Sequence, residues 1–307
     1  MMKVASLFCG CGGLDYGFHK AGYEIVWSND FDKYAVETYN ANFPNQAVCA
    51  DLNELDINTI PKHDVLIGGF PCQPFSMMGK EKGFNDRRGT LFFKVVEIIE
   101  NQKTRGHQPR IVVLENVRNL MTHDKGRTFK VIKETLDDLG YHVFPAQLNS
   151  ADFGVPQTRN RVFLVCLMDD ITYSFPKGET LDVTLQDVLE ENVADKYFLS
   201  ERILKTILSN GTGGYYAKSE IDLKVARPLT ATMAKMHRAC QDNYVTQDRG
   251  IRRLTPRECA RLQGFPDEFK IVVSDAQAYK QFGNAVTVNV SYAIAQSILD
   301  QVGSINA

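Results

Sequence analysis

The chain has 307 residues, 44% of them apolar and 23% charged, with a formal net charge of −2, so it can fold as one large domain plus a smaller one. Its seven cysteines form no Cys-x-x-Cys pair, which excludes a disulfide framework and a zinc ladder and leads us to expect a reducing, cytoplasmic setting. Met1 to Val4 runs straight into a strand pattern without a signal peptide, and no apolar run is long enough to span a bilayer, so no membrane partner is expected.

The first element is a strand over Lys3 to Phe8, followed by the turn Cys9-Gly10-Cys11-Gly12-Gly13 and a helical pattern through Leu14, Phe18 and Ala21. Strand, glycine turn, helix is the arrangement that lets backbone N–H groups approach a ligand closely. The glycine spacing departs from the dinucleotide G-x-G-x-x-G, so the turn alone is a weak signal. A second strand, Glu24 to Ser28, ends at Asn29-Asp30, where an acidic side chain can accept from ribose hydroxyls or cap the next helix, Lys33 to Asn42. A third strand, Val48 to Leu52, places Asp51 where a carboxylate could receive an adenine amino group. Three strands with polar tips at one sheet edge suit a nucleoside cofactor.

The fourth strand, Asp64 to Ile67, leads into Gly68-Gly69-Phe70-Pro71-Cys72-Gln73-Pro74-Phe75-Ser76. Two prolines hold the backbone on either side of Cys72, so its thiol is presented beyond the carboxyl end of a buried strand, where open α/β sheets do chemistry. Free cysteine is more often a small buried hydrophobe than a nucleophile, and Cys72 has to be judged by its company. The polar stretch Met77 to Gly89, with Arg87 and Arg88, reads as an active-site or phosphate-facing loop, and a helix follows over Thr90 to Gln102. Ile111 to Leu114 is an apolar strand closed by Glu115-Asn116-Val117, at the same edge as Cys72. A helix over Gly126 to Leu139 and a strand over Tyr141 to Leu148 lead to Gln157-Thr158-Arg159-Asn160-Arg161 and the strand Val162 to Leu167. Two arginines two apart, entering a strand, are expected on one face.

Regular alternation stops near Asp170. Residues 173 to 250 are irregular and rich in turn signals, and 195 to 253 hold eleven Lys/Arg against six Asp/Glu, on a remainder with 24 basic and 31 acidic residues. A basic segment on an acidic body suits a polyanion, or is simply an unevenly charged surface. Alternation resumes with Thr255-Pro256-Arg257-Glu258, an N-cap with proline in the first turn, opening a helix through Leu262. Gly283-Asn284-Ala285-Val286 then leads into a last helix, Thr287 to Leu299, whose Val290, Ala293, Ile294 and Ile298 form an apolar face.

Taken in order, Phe8 to Gly13, Pro71-Cys72-Gln73, Glu115-Asn116-Val117, Gln157 to Arg161, Arg253 to Glu258 with Gln263-Gly264-Phe265-Pro266, and Gly283 to Val286 resemble the motifs of the DNA cytosine-5 methyltransferase family over nearly the whole chain. The resemblance implies an α/β, Rossmann-like methyltransferase domain with a mixed sheet over 1–176 and 251–307. It also implies a small, irregular target-recognition domain inserted at 177–250. S-adenosylmethionine is the cofactor implied, held by Phe8, Gly10, Gly12, Gly13, Leu14, Asp30, Phe31, Asp51, Leu52, Pro71, Leu91, Asn284 and Val286. The family usually has glutamate where this chain has Asp30.

The implied reaction methylates C5 of cytosine within a short sequence of double-stranded DNA. Cytosine C5 is a poor nucleophile until a thiolate adds at C6, the role expected of Cys72. Glu115 is the expected acid at N3, Arg161 holds the O2 carbonyl, and Arg159 supports the same loop. The base must leave the duplex to be reached. Expected DNA contacts are Gln73, Ser76, Arg87 and Arg88 near the pocket, and Arg227, Lys235, His237 and Arg238 in the inserted segment. No metal is expected, and a monomer associated with the nucleoid is. The expected role is host-DNA protection in a restriction-modification system, where a cognate endonuclease would act on the same site without direct contact, or modification by an orphan or phage enzyme. The rivals are an RNA (tRNA) cytosine-5 methyltransferase, although the Cys-Phe-Thr of such relatives is absent from the inserted segment, and a catalytically inactive DNA-binding protein.

Overall fold

The computed structural model describes residues 1–71, 91–209 and 219–302. The chain falls into two compact units, Met1–Leu148 with Asn160–Lys177 and Ser291–Ala307, and Asn149–Arg159 with Gly178–Val290.

The first unit is built on a seven-stranded sheet, β1 (Lys3–Leu7), β2 (Glu24–Asp30), β3 (Val48–Cys49), β4 (Val65–Gly69), β5 (Ile111–Val117), β6 (His142–Asn149) and β7 (Asn160–Leu167), in the order 3-2-1-4-5-7-6. Strands β1 to β5 pair in parallel and β7 runs antiparallel to β5, so the sheet is mixed as expected. Helices α1 (Gly13–Lys20), α2 (Lys33–Asn42), α3 (Leu91–Thr104) and α4 (Arg127–Asp138) connect these strands. Strands β1, β4 and β5 are buried almost end to end, the signature of parallel strands covered on both faces. Phe92, Val95, Ile98 and Ile99 of α3 and Ile132 and Leu136 of α4 join Leu66, Val112, Leu114 and Leu164 of the sheet in one apolar cluster. The C-terminal helix, Val288–Val302, lies against α1: Gly17 has no room for a side chain, since a Cβ would stand 2.5 Å from the Tyr292 nitrogen.

Two strands depart furthest from expectation. The third strand stops at Cys49, because Asp51 turns the chain: its Oδ1 accepts from Asn53 N at 2.9 Å and its carbonyl from Glu54 N at 3.0 Å. The fifth strand continues through Glu115, Asn116 and Val117, since β7 supplies partners for each of them. The ladder with β7 outweighs the loss of the apolar pattern, and Glu115 sits within the strand.

The second unit contains α5 (Glu201–Leu208), a hairpin of β8 (Tyr244–Gln247) and β9 (Gly250–Arg253), α6 (Pro256–Leu262) and α7 (Asp275–Asn284). Thr255 caps α6 in a capping box with Glu258, as its sequence suggests. Helix α7 has no counterpart in the sequence reading. Gly283-Asn284 forms its last turn, and the C-terminal helix starts one residue later than expected and runs on to Val302. The segment expected as an inserted domain lies in this unit, which also takes in 149–159 and 251–290.

Candidate active site

The carboxyl ends of β1, β2, β4 and β5 carry the polar groups of the first unit. After β1 the chain takes two left-handed steps, Phe8 at φ 55° and Gly10 at φ 55°. Phe8 is one of only four non-glycine residues with positive φ among the described residues, a conformation that costs about 1–3 kcal/mol and is retained where surroundings enforce it. Gly10 donates its N–H to Asp30 Oδ2 at 2.9 Å, and the space where a Cβ would stand is open to 4 Å. Gly12, at φ 93°, packs so tightly on the Phe43 ring that a Cβ would lie 2.5 Å from Cζ. Gly13 and Leu14 are buried beneath this turn.

Asp30 ends β2 almost buried, its other oxygen accepting from Asp32 N at 2.8 Å. The N-cap of α2 is Asp32, whose Oδ1 accepts from Tyr34 N, so the capping alternative for Asp30 is excluded. Phe31 beside it is 73% exposed, an unusual position for a large aromatic ring. Asp51 is exposed and Leu52 buried, while Leu91 opens α3 half-buried. An open space over Gly10, a carboxylate at the strand tip and a bare aromatic face fit a nucleoside with free hydroxyls.

Beneath the turn lies a group that the sequence reading missed. Asp15, fully buried in the first turn of α1, accepts from Ser6 Oγ at 2.8 Å, Ser28 Oγ at 3.1 Å and Tyr39 hydroxyl at 2.9 Å. It thereby ties β1, β2 and α2 to the start of α1. The available signal was an aspartate directly after Leu14 on the apolar side of the helix. Burial pushes its carboxyl from 3.8 up to about 6, the three hydroxyl donors offsetting part of that shift. The unfolded carboxyl ionises near 3.8 and the folded one near 6, so this group's contribution to stability is full below 3.8 and lost as pH rises to 6. Asp15→Asn, which cannot ionise, should therefore gain about 3 kcal/mol on the wild type between pH 4 and pH 7, read by urea unfolding at each pH.

The carboxyl ends of β4 and β5 lie side by side, Gly69 paired with Glu115. A Cβ on Gly69 would stand 3.1 Å from Glu115 Oε2, so the glycine leaves room for the carboxylate over the end of β4. Glu115 Oε1 lies 3.0 Å from Arg161 Nε, the two side chains 12% and 22% exposed. Arg161 also donates to the Asn160 carbonyl at 2.9 Å. Asn116 donates through Nδ2 to the Phe70 carbonyl at 2.8 Å, fixing the backbone next to exposed Pro71. Pro71 is the last residue described on this side. Cys72, Gln73, Ser76, Arg87 and Arg88 lie outside the described residues.

The two arginines expected on one face have different tasks. Arg159 belongs to the second unit, where it is buried and donates to the carbonyls of Leu229 (3.0 Å), Gly283 (3.0 Å) and Ala285 (2.9 Å). Those bonds hold the turn in which Asn284 is exposed and Val286 buried. Arg227 is similarly occupied, bonded to Glu220 at 2.6 Å and reaching the Ala239 carbonyl at 3.3 Å. His237 stacks on Tyr244, Arg238 donates to Gln241 at 2.9 Å, and Lys235 is exposed.

The sequence pattern of the family described as C-5 cytosine-specific DNA methylase matches residues 2–300. The chain belongs to that family. The methylase is 40% identical to Type II methyltransferase M.NlaX of Neisseria lactamica, over 97% of this chain and 96% of that protein. It is 35% identical to Type II methyltransferase M.HhaI of Haemophilus parahaemolyticus, over 97% and 94%. Among solved structures, Entamoeba histolytica methyltransferase EhMeth superposes with a TM-score of 0.80 at 20% identity, over 98% and 99% of the two chains, a likeness of fold. The methylase is thus a DNA cytosine-5 methyltransferase that uses S-adenosylmethionine. No helix among its described residues is long and apolar enough to cross a membrane.

Proposed function

We propose that this enzyme methylates C5 of one cytosine within a specific short sequence of double-stranded DNA, through base flipping and a transient bond between Cys72 and C6. Residues 177–250 act as the target-recognition domain, and the enzyme works as a cytoplasmic monomer protecting DNA in a restriction-modification system. The observation that carries this reading is Glu115 held 3.0 Å from Arg161 at the carboxyl end of β5, over Gly69 of the strand that leads to Pro71 and Cys72.

S-adenosylmethionine, when bound, supplies an electrophilic methyl group. Asp30 would accept from its ribose hydroxyls, Phe31 would cover its adenine, and the open side of Gly10 would admit its amino-acid end. Phe8, Gly12, Gly13 and Leu14 shape that turn, Leu52 and Leu91 line the site, and Asn284 and Val286 complete the contact set. Asp51, already turned toward its own loop, would meet the adenine amino group with its remaining acceptor capacity.

Cys72 adds to C6 as thiolate and pushes electron density onto C5. Glu115 in its protonated form donates its O–H to N3, or passes the proton to it, as negative charge develops on the ring. Arg161 keeps Glu115 in place and offers its remaining N–H groups to the base O2. Arg159 serves by positioning the turn that carries Asn284. Once C5 has taken the methyl group, loss of its proton to water lets the sulfur leave and restores the ring. Gln73 and Ser76 contact the flipped nucleotide, and Arg87 and Arg88 its phosphates. Lys235, His237 and Arg238 meet the duplex, whereas Arg227 supports them from within.

Plasmid DNA treated with purified enzyme and S-adenosylmethionine, then bisulfite-sequenced, tests this directly. Protected cytosines confined to one short sequence are expected. Unmodified DNA, or protected cytosines without a common sequence, contradicts the reading.

A further inference from the structure

One charged surface of the first unit has no part in the chemistry above. Past Glu115, strand β5 ends with Val117 paired to Arg161 across the ladder, and Val117 is 41% exposed. Arg118 and Asn119 follow, both exposed, in a 3-10 turn Arg118–Met121. A second turn, His123–Gly126, carries Asp124 at φ 52° and Lys125 at φ 55° and joins α4. Two consecutive non-glycine residues in the left-handed region are strained, and the strain displays the exposed Lys125 in the loop between the end of β5 and α4.

The segment 118–130 holds four Lys/Arg and one Asp in a protein whose net charge is negative. Asp124 is taken up by Arg127, and Lys130 faces Glu134 at 3.6 Å. Arg118 and Lys125 form no ion pair among the described residues. These two cations, unpaired among the described residues and one of them a single residue beyond the Val117–Arg161 pair, are placed for a polyanion that must itself reach Glu115.

We infer that Arg118 and Lys125 contact phosphates of the duplex beside the extruded nucleotide, a second backbone grip carried by the catalytic unit itself. The inference rests on the proposed reaction on duplex DNA. Phosphate contacts position the protein without reading sequence, so the strip sets affinity and register but not which site is chosen. Its charge complements DNA, and Lys125 keeps a strained conformation that glycine would adopt freely.

The test measures duplex binding by anisotropy across a salt series for wild type, R118A, K125A, K125G, the double variant R118A/K125A and the control K103A. Lys103 is exposed in the last turn of α3, which leads back to the amino-terminal edge of β5. Each loss at 118 or 125 should lower the slope of log affinity against log salt by about 1, and the double variant by about 2. KM for DNA should rise several-fold with kcat, the protected sequence and S-adenosylmethionine affinity unchanged. R118K should keep most of the binding, because a phosphate accepts a point charge. K125G should weaken binding as K125A does while its Tm stays at or above that of wild type, which separates contact from folding. Slopes and KM equal to wild type, or an equal change in K103A, would overturn the strip. Failure of the wild type to methylate duplex DNA would instead overturn the reaction on which it rests.

Discussion

Cys72→Ser is expected to lower methyl transfer by roughly 10⁴-fold or more while duplex binding and S-adenosylmethionine binding stay near wild type. The size follows from the substrate. C5 of cytosine carries too little electron density to attack a methyl group, and only addition of a strong nucleophile at C6 places charge there. A thiol reaches its thiolate form near neutral pH far more readily than a serine hydroxyl, so the oxygen variant retains the shape of the site without its reactivity. Asn116, bonded to the Phe70 carbonyl, and the Glu115–Arg161 pair remain as they were. The two residues before position 72 therefore stay anchored. Single-turnover transfer of a labelled methyl group, run beside anisotropy on the same duplex, separates the two quantities. Wild-type turnover in Cys72→Ser would remove the nucleophile.

The second large effect is expected on stability, in the second unit. Arg252 and Glu258 are both fully buried and form a two-pronged pair, Nη2–Oε1 at 2.6 Å and Nη1–Oε2 at 2.8 Å. Glu258 also accepts from Glu190 N and Thr255 N, each at 2.8 Å, so every lone-pair direction of its carboxylate has a donor. Arg252 in turn donates to Gln247 Oε1 at 2.6 Å and the Arg253 carbonyl at 3.0 Å. Glu258→Gln keeps the shape and part of the capping box but leaves a guanidinium buried without its counter-charge. It should cost about 3–5 kcal/mol. Glu258→Gln combined with Arg252→Met should cost clearly less than the sum of the two single losses, because the stranded charge has gone. Urea unfolding of the four proteins gives the cycle. Additive losses would mean that the pair is not coupled.

Much of this was legible in the sequence, and the part that was not has physical causes. Helix α2 was predictable to its last residue, because a polar start, an apolar stripe of Ala35, Val36 and Tyr39, and Phe43 beyond its end agree locally. The end of β5 was not, since Glu115, Asn116 and Val117 break the apolar run and are strand only because β7 pairs with them. Helix α7 escaped because its buried face is short, with Ala278, Tyr279 and Phe282 spread among polar residues. Among site residues, Glu115 was legible at the edge it shares with Cys72, but its pairing with Arg161 was not, because only the antiparallel β5–β7 ladder brings the two together. Asp15 could not be placed from its own sequence neighbours, because its three hydroxyl partners come from three other elements. Arg159 misled for a related reason: two residues from Arg161 in sequence, it is committed to carbonyls some 70 and 124 residues further on.

Catalysis stands on the transient bond between Cys72 and C6 of the target cytosine. A duplex with 5-fluorocytosine at the methylated position tests that bond, since fluorine cannot leave C5 as a proton does and the sulfur should remain attached. With S-adenosylmethionine present, we expect a denaturation-resistant enzyme–DNA adduct whose cross-linked peptide contains Cys72. No adduct, or one through another residue, would contradict it.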